Sequence, residues 1–135
     1  MPTSTYVTAL KKVVKDGNTL LDVGCGSGIL GIVATKLGAV VDACDTDPLA
    51  VDSAKENYEL NGSKYRNIWT GSANKSSQKY DVVVANIIAD VLIFIYKDLE
   101  KVSGNTLILS GIIDKYKDKV IDKYSKSFEI VESIE

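Results

Sequence analysis

At 135 residues the chain has the length of one domain, spanning 1–135, and can bury most of the surface it would expose unfolded. A hydrophobic content of 45%, a charged content of 25% and a net charge of −2 exclude a disordered tail, a membrane-spanning bundle and a strongly basic nucleic-acid binder. There is no histidine, and Cys25 and Cys44 are the only cysteines, so no metal site is expected and Ser-His-Asp or Cys-His hydrolysis is ruled out.

The opening Met1-Pro2-Thr3-Ser4-Thr5-Tyr6 lacks the charged-then-apolar pattern of a signal peptide, which predicts a cytoplasmic protein. Residues 5–15 place Tyr6, Val7, Leu10, Val13 and Val14 at helical spacing, and Asp16-Gly17 supplies a stop. Residues 19–23 read as a short buried strand that empties into Gly24, Gly26 and Gly28. A helix over 29–37 follows, closed by Gly38, and then a second strand over 39–44. Asp47-Pro48 opens the next helix with a capping carboxylate and a proline at its first position; Asn61-Gly62 ends it. Beyond lie a third strand at 65–69, a polar loop at 71–79, an apolar fourth strand at 80–85 and a helix at 90–102. Ser103-Gly104-Asn105 reads as a turn, 106–110 as a fifth strand, 116–125 as a helix and 128–134 as a last strand. The lysines at 115, 117, 119, 123 and 126 alternate with Asp114, Asp118 and Asp122, the mark of a solvated helix face.

Strands alternating with helices of this length imply parallel pairing through right-handed crossovers. The fold class is therefore α/β: a doubly wound, mostly parallel sheet in three layers, with helices on both faces. Ligands of such sheets sit at the carboxyl ends of the strands, where the winding reverses. Gly24 to Gly28, Asp45 and Asn86 all fall at such ends.

Glycine in the first of these places lets the backbone turn sharply and lets a ligand approach the main chain. An acid about 20 positions further on, after a second strand, is placed to grip a pair of ribose hydroxyls. An adenosine-containing cofactor is the expectation. Gly26-Ser27-Gly28-Ile29-Leu30-Gly31 also fits the dinucleotide pattern G-x-G-x-x-G, but Asp22 stands two residues before Gly24, inside the turn. A carboxylate there favours a cation and would repel a pyrophosphate. S-adenosyl-L-methionine carries a sulfonium and an ammonium and no phosphate.

Asp22-Val23-Gly24-Cys25-Gly26-Ser27-Gly28 resembles the first motif of the seven-strand S-adenosylmethionine-dependent methyltransferases, commonly D-x-G-C-G-x-G. The resemblance implies a Rossmann-like methyltransferase fold. It also implies that Gly24, Cys25, Gly26 and Gly28 line the methionine portion of the cofactor, with Asp22 near its ammonium. Asp45 would take the ribose hydroxyls, with Thr46 beside it, and Asp47 would cap a helix. Ser72 stands where many relatives carry an acid against the adenine amino group, so a weaker hydrogen bond is expected there.

Asn86 ends the fourth strand, where its amide oxygen can accept an N–H of an amine nucleophile and turn the lone pair toward a methyl group. The competing expectation is that Asn86 merely caps the next helix. Asn86-Ile87-Ile88-Ala89-Asp90-Val91-Leu92 and Leu109-Ser110-Gly111-Ile112-Ile113 look like the catalytic domain of the PrmA-type methyltransferases. Pro2-Thr3-Ser4-Thr5 is similar to that family's H-P-T-T segment, which places Thr3 in the cofactor pocket. By that resemblance the protein is an N-methyltransferase with Asn86 as its catalytic residue and as one of the residues that hold the cofactor, acting on amino groups of a large-subunit ribosomal protein. No membrane and no direct nucleic-acid partner are expected.

Two departures from the family pattern carry expectations of their own. The substrate-recruiting amino-terminal domain is missing, and the sheet stops short of the last of the usual seven strands. The latter predicts an exposed fifth-strand edge, hence lowered stability or dimerisation. The rival functions are a cofactor-binding fragment without turnover, a small-molecule methyltransferase, and a nucleic-acid base methyltransferase. Base methyltransferases usually follow the catalytic Asn with prolines and an aromatic, where this chain has Ile87 and Ile88.

Overall fold

The computed structural model describes residues 9–110 and 114–128. A helical segment at 9–13 (α1) precedes β1 (Thr19–Val23), α2 (Ile29–Lys36), β2 (Val40–Asp45), α3 (Pro48–Leu60) and β3 (Asn67–Thr70). A 3-10 turn, Ala73–Lys75, leads to β4 (Tyr80–Asn86), α4 (Ala89–Phe94), α5 (Tyr96–Val102), β5 (Ser103–Ser110) and α6 (Asp114–Tyr124). The five strands form one sheet in the order β3-β2-β1-β4-β5, and all four pairings are parallel. The chain winds outward from β1 through β2 to β3, then returns to lay β4 on the other side of β1. The winding therefore reverses between β1 and β4.

Alternation along each strand splits the core into two halves. Leu20, Val41, Ala43, Ile68, Val82 and Val84 pack with Leu10, Ile32, Val51, Ala54 and Tyr58 from α1, α2 and α3. Leu21, Val23, Cys44, Val83 and Ala85 face the other way, onto Leu92, Tyr96, Leu99, Val120 and Tyr124 from α4, α5 and α6. Both faces of the central strands are covered, which explains why Val82-Val83-Val84-Ala85 is apolar without a break. The expected doubly wound, three-layered sheet is what forms.

Where β3 and β4 begin, one buried polar cluster ties three strands together. Asp42 of β2 is 2% exposed and accepts from Arg66 Nε at 3.0 Å, Arg66 Nη2 at 2.8 Å, the Asn67 amide at 3.1 Å and the Tyr80 hydroxyl at 2.6 Å. Burial alone would raise the Asp42 pKa; the hydrogen bonds from Arg66 and Tyr80 outweigh it and hold the carboxyl below its usual value.

The third strand spans Asn67–Thr70 in place of 65–69, and two further expectations change. The helix expected over 90–102 breaks at Ile95, whose φ of −93° and ψ of 12° leave the helical region. The buried stripe Ala89, Leu92, Tyr96, Leu99, Val102 runs through the break undisturbed, so apolar spacing carried no trace of it. The turn expected at 103–105 is the start of β5. Gly104 lies so close to β4 that a Cβ there would sit 2.8 Å from the Tyr80 carbonyl oxygen, so this glycine marks a close backbone approach. The last strand expected at 128–134 lies, apart from Phe128, outside the described residues; Phe128 packs against the α4–α6 side of the core. Among the described residues no helix is long and apolar enough to cross a membrane.

Candidate active site

Parallel register lines up the ends of five strands. Val23 pairs with Cys44 on one side and Ala85 on the other, Asp45 with Thr70, and Asn86 with Ser110. The glycine bend after β1 therefore emerges between Asp45 and Asn86, in the crevice where the winding reverses.

The bend uses its glycines. Gly24, Gly26 and Gly28 all have positive φ, at 72°, 53° and 85°, which L residues with a Cβ rarely adopt. The amides of Gly24 and Cys25 donate to the Cys44 carbonyl at 2.8 and 3.0 Å, and Gly28 donates to the Cys25 carbonyl at 2.9 Å. A Cβ on Gly26 would meet nothing within 4 Å, so its backbone lies open to a ligand. A Cβ on Gly24 would lie 3.0 Å from Ile87 Cγ1 and 3.9 Å from the Asn86 carbonyl oxygen. The two segments singled out from the sequence are thus separated by one side-chain thickness.

Asp45 is held from two sides. Its Oδ2 accepts the Gly26 amide at 3.0 Å and its Oδ1 accepts the Asp47 amide at 2.9 Å. A carboxylate offers about four acceptor positions, so two remain for a diol. Asp47 accepts the Leu49 amide at 2.9 Å and caps α3, as its place before Pro48 implied. Thr46, between them, is exposed.

Asp22, expected near the ammonium of the cofactor, lies on a buried face of β1. It is 1% exposed and belongs to the β1 face covered by α2 and α3. Burial raises its pKa to about 7; the Gly31 amide in the first turn of α2 opposes that shift and the neighbouring Asp45 charge adds to it. Its Oδ2 has no hydrogen-bond partner among the described residues. The carboxyl thus lies beneath the bend, against the positive end of α2.

Asn86 is exposed at the end of β4, and its Oδ1 accepts a hydrogen bond from the Ser110 hydroxyl at 2.9 Å. Ile88, not Asn86, precedes the first turn of α4, and no side chain caps that helix, so the capping alternative fails. Ser110, named in the sequence only as part of the family-like segment 109–113, is 4% exposed and is brought to Asn86 by the pairing of β4 with β5. Beside Asn86, the outer side of α4 is apolar and exposed, with Ile88 at 64% and Phe94 at 88% and Val91 between them.

Ser72 donates from its hydroxyl to Asn74 Oδ1 at 2.6 Å, and its carbonyl accepts from Trp69 Nε1 at 3.0 Å. Thr3 lies outside the described residues. Cys25 and Cys44 are free and buried, and burial pushes both thiols up to about 12, which leaves them without nucleophilic character near neutral pH. Among the described residues, no group of three or more His, Cys, Asp or Glu is placed to hold a metal ion.

A family model described as "Ribosomal protein L11 methyltransferase (PrmA)" matches residues 2–135. The chain belongs to the PrmA family. Curated relatives of that name include one from Nitratiruptor sp., 53% identical over 131 residues, covering 96% of this chain and 46% of the relative. Another, from Campylobacter lari, is 54% identical over 124 residues, covering 90% of this chain and 45% of the relative. The chain thus spans about half the length of the PrmA proteins it matches. Among solved structures, a ribosomal protein L11 methylase from Lactobacillus delbrueckii subsp. bulgaricus superposes with a TM-score of 0.85 at 31% identity, covering 93% of this chain and 68% of that one. A precorrin-6y C5,15-methyltransferase from Geobacter metallireducens reaches 0.82 at 15% identity, covering 96% and 73%, and shares the fold.

Proposed function

We propose that this chain is the cofactor-binding and catalytic portion of an S-adenosylmethionine-dependent N-methyltransferase acting on amino groups of a ribosomal protein. The observation that supports this most directly is the convergence of the glycine bend, Asp45 and Asn86 at the carboxyl ends of β1, β2 and β4. The residues present suit the cofactor: Gly26 presents open backbone and Asp45 keeps acceptor positions for a diol. Gly24, Cys25, Gly26 and Gly28 would hold the methionine portion, Asp45 and Thr46 the ribose, Ser72 the adenine edge and Thr3 the pocket's lip. Buried and near-neutral in its titration, Asp22 would act from beneath the bend on a positively charged ligand.

The cofactor supplies an electrophilic methyl group on a sulfonium. The protein's task is to hold an unprotonated amine in line with it. Ser110 fixes the Asn86 amide and leaves a second lone pair on Oδ1 to accept an amine N–H. Positioning of this kind supports amine methylation and needs no general acid. Ile87 and Ile88 offer no ring on which an extruded base could stack. The exposed apolar side chains of Ile88, Val91 and Phe94, which follow Asn86 in the chain, favour a protein acceptor over a small polar one. A ribosomal acceptor would be met in the cytoplasm.

The test is transfer of labelled methyl from S-adenosylmethionine to isolated protein L11. Asn86→Ala should slow transfer by about a hundredfold while S-adenosylhomocysteine still binds. Binding without transfer, in the unaltered chain, would select the cofactor-binding fragment instead.

A further inference from the structure

Tyr58 has no place in the site described so far, yet it touches the underside of the glycine bend at two points. It is fully buried on α3 and lies across the start of α2. A Cβ on Gly28 would sit 3.0 Å from Tyr58 Cε1, and a Cβ on Gly31 would sit 1.9 Å from the Tyr58 hydroxyl oxygen. The hydroxyl therefore occupies the notch that the missing Gly31 side chain leaves. From behind, Tyr65 packs edge-on against the ring with centroids 5.3 Å apart, so the ring is clamped in place.

The surroundings of that hydroxyl are unusual. Tyr58 Oη and Asp22 Oδ2 are both buried, and neither has a hydrogen-bond partner among the described residues. Unpaired buried polar atoms are costly, and two together at the base of one binding bend call for a function. Gly31 joins them: its amide faces the Asp22 carboxyl, and its Cα hydrogen faces Tyr58.

We propose that Tyr58 is a positioning residue for cofactor binding, acting through Gly31 and the Asp22 carboxyl to hold the bend and the first turn of α2 in register. The proposal rests on the cofactor reading above and extends it to a residue on a different element. Gly31 and Tyr58 then form an obligate pair, because any other residue at 31 collides with the hydroxyl. The hydroxyl shares the buried space of the Asp22 carboxyl without a hydrogen bond between them. The groups facing Asp22 are the Gly31 amide from α2, Tyr58 from α3, Cys25 from the bend, and Cys44 and Asp45 from β2. From β4 its sheet neighbour is Val84, which carries no charge.

Calorimetric titration with S-adenosylhomocysteine, whose ammonium supplies the cation, tests this between pH 5.5 and 8.5. Affinity in the unaltered chain should rise as pH passes through about 7, where Asp22 loses its proton. Tyr58→Phe should weaken binding at neutral pH by about fivefold. It should also move the midpoint of the pH profile upward, because the carboxyl then sits in a more apolar pocket. Gly31→Ala should weaken binding further, and adding Tyr58→Phe to it should restore part of the loss, since the colliding oxygen is gone. A Tyr58→Phe protein with unchanged affinity and an unchanged midpoint overturns the proposal, whatever its melting temperature. Should Gly31→Ala fail to fold, the Tyr58→Phe profile decides alone. No binding by the unaltered chain would instead refute the cofactor reading.

Discussion

The Gly26 amide donates to Asp45 Oδ2 at 3.0 Å, so the carboxylate that ends β2 is tied directly to the bend that ends β1. One hydrogen bond thus couples the two segments expected to hold opposite ends of an adenosine-containing ligand. It aims the carboxylate before any ligand arrives, which lowers the ordering cost of binding.

Asp45→Asn should therefore weaken S-adenosylhomocysteine binding through two losses. An amide group accepts fewer hydrogen bonds than a carboxylate, and its NH2 turned toward Gly26 or Asp47 would oppose their amides. Hydrogen bonds to charged groups contribute roughly 1.5–3 kcal/mol, which corresponds to a loss of about ten- to a hundredfold in affinity. Isothermal titration measures it; an affinity within about twofold of the unaltered chain contradicts the role.

Ser110→Ala removes the donor that orients Asn86 without touching the bend. Methyl transfer should slow by about tenfold through kcat, a smaller loss than in Asn86→Ala, with cofactor affinity unchanged. Steady-state kinetics with protein L11 as acceptor separates the two parameters. A Ser110→Ala kcat equal to that of the unaltered chain would show that Asn86 needs no such support.

Asp42→Ala breaks a cluster in which one carboxylate accepts from Arg66, Asn67 and Tyr80. The Tyr80 hydroxyl and the guanidinium are left without their acceptor, at a cost of about 3 kcal/mol in unfolding free energy. Because the folded pKa of Asp42 lies below 3.8, its contribution is present above that value and fades as pH falls below it. Urea melts of the variant should accordingly differ most from the unaltered chain near neutral pH and converge in acid.

Asp22 has the opposite sign. Its folded pKa of about 7 exceeds the ordinary 3.8, so between those values the folded chain keeps a proton that the unfolded chain has lost. Stability without cofactor should fall as pH rises from 4 to 7, then level off. Asp22→Asn should flatten that decline and stabilise the cofactor-free chain at pH 8 by a few kcal/mol, readable as a higher melting temperature. A melting temperature equal to that of the unaltered chain across this range would mean that Asp22 keeps its charge when buried.

Most of the architecture could be read along the chain because it rests on local rules. Gly24, Gly26 and Gly28 announced positive φ, Asp47-Pro48 announced a helix start, and the unbroken apolar run of β4 announced a strand covered on both faces. The break at Ile95 and the early start of β5 escaped because neither disturbs the spacing of buried residues. Asp22 was recognised as part of the bend, but the side on which its carboxyl lies depends on strand alternation and on what α2 and α3 cover. Tyr58 carried no motif, and Ser110 stood in a family-like segment without a role of its own, since each matters through a partner distant in sequence.

By itself the sequence determined the alternation of strands and helices, the glycine bend and the acid after β2, because each follows from backbone preference and periodicity over a few residues. The tertiary structure alone decided which strand ends become neighbours: the return of β4 to the side of β1 sets Asn86 across from Gly24. It also decided that Tyr58 fills the notch at Gly31 and that the Asp22 carboxyl is sealed from water. Burial and proximity arise only when distant segments pack, and the chemistry of this crevice depends on both.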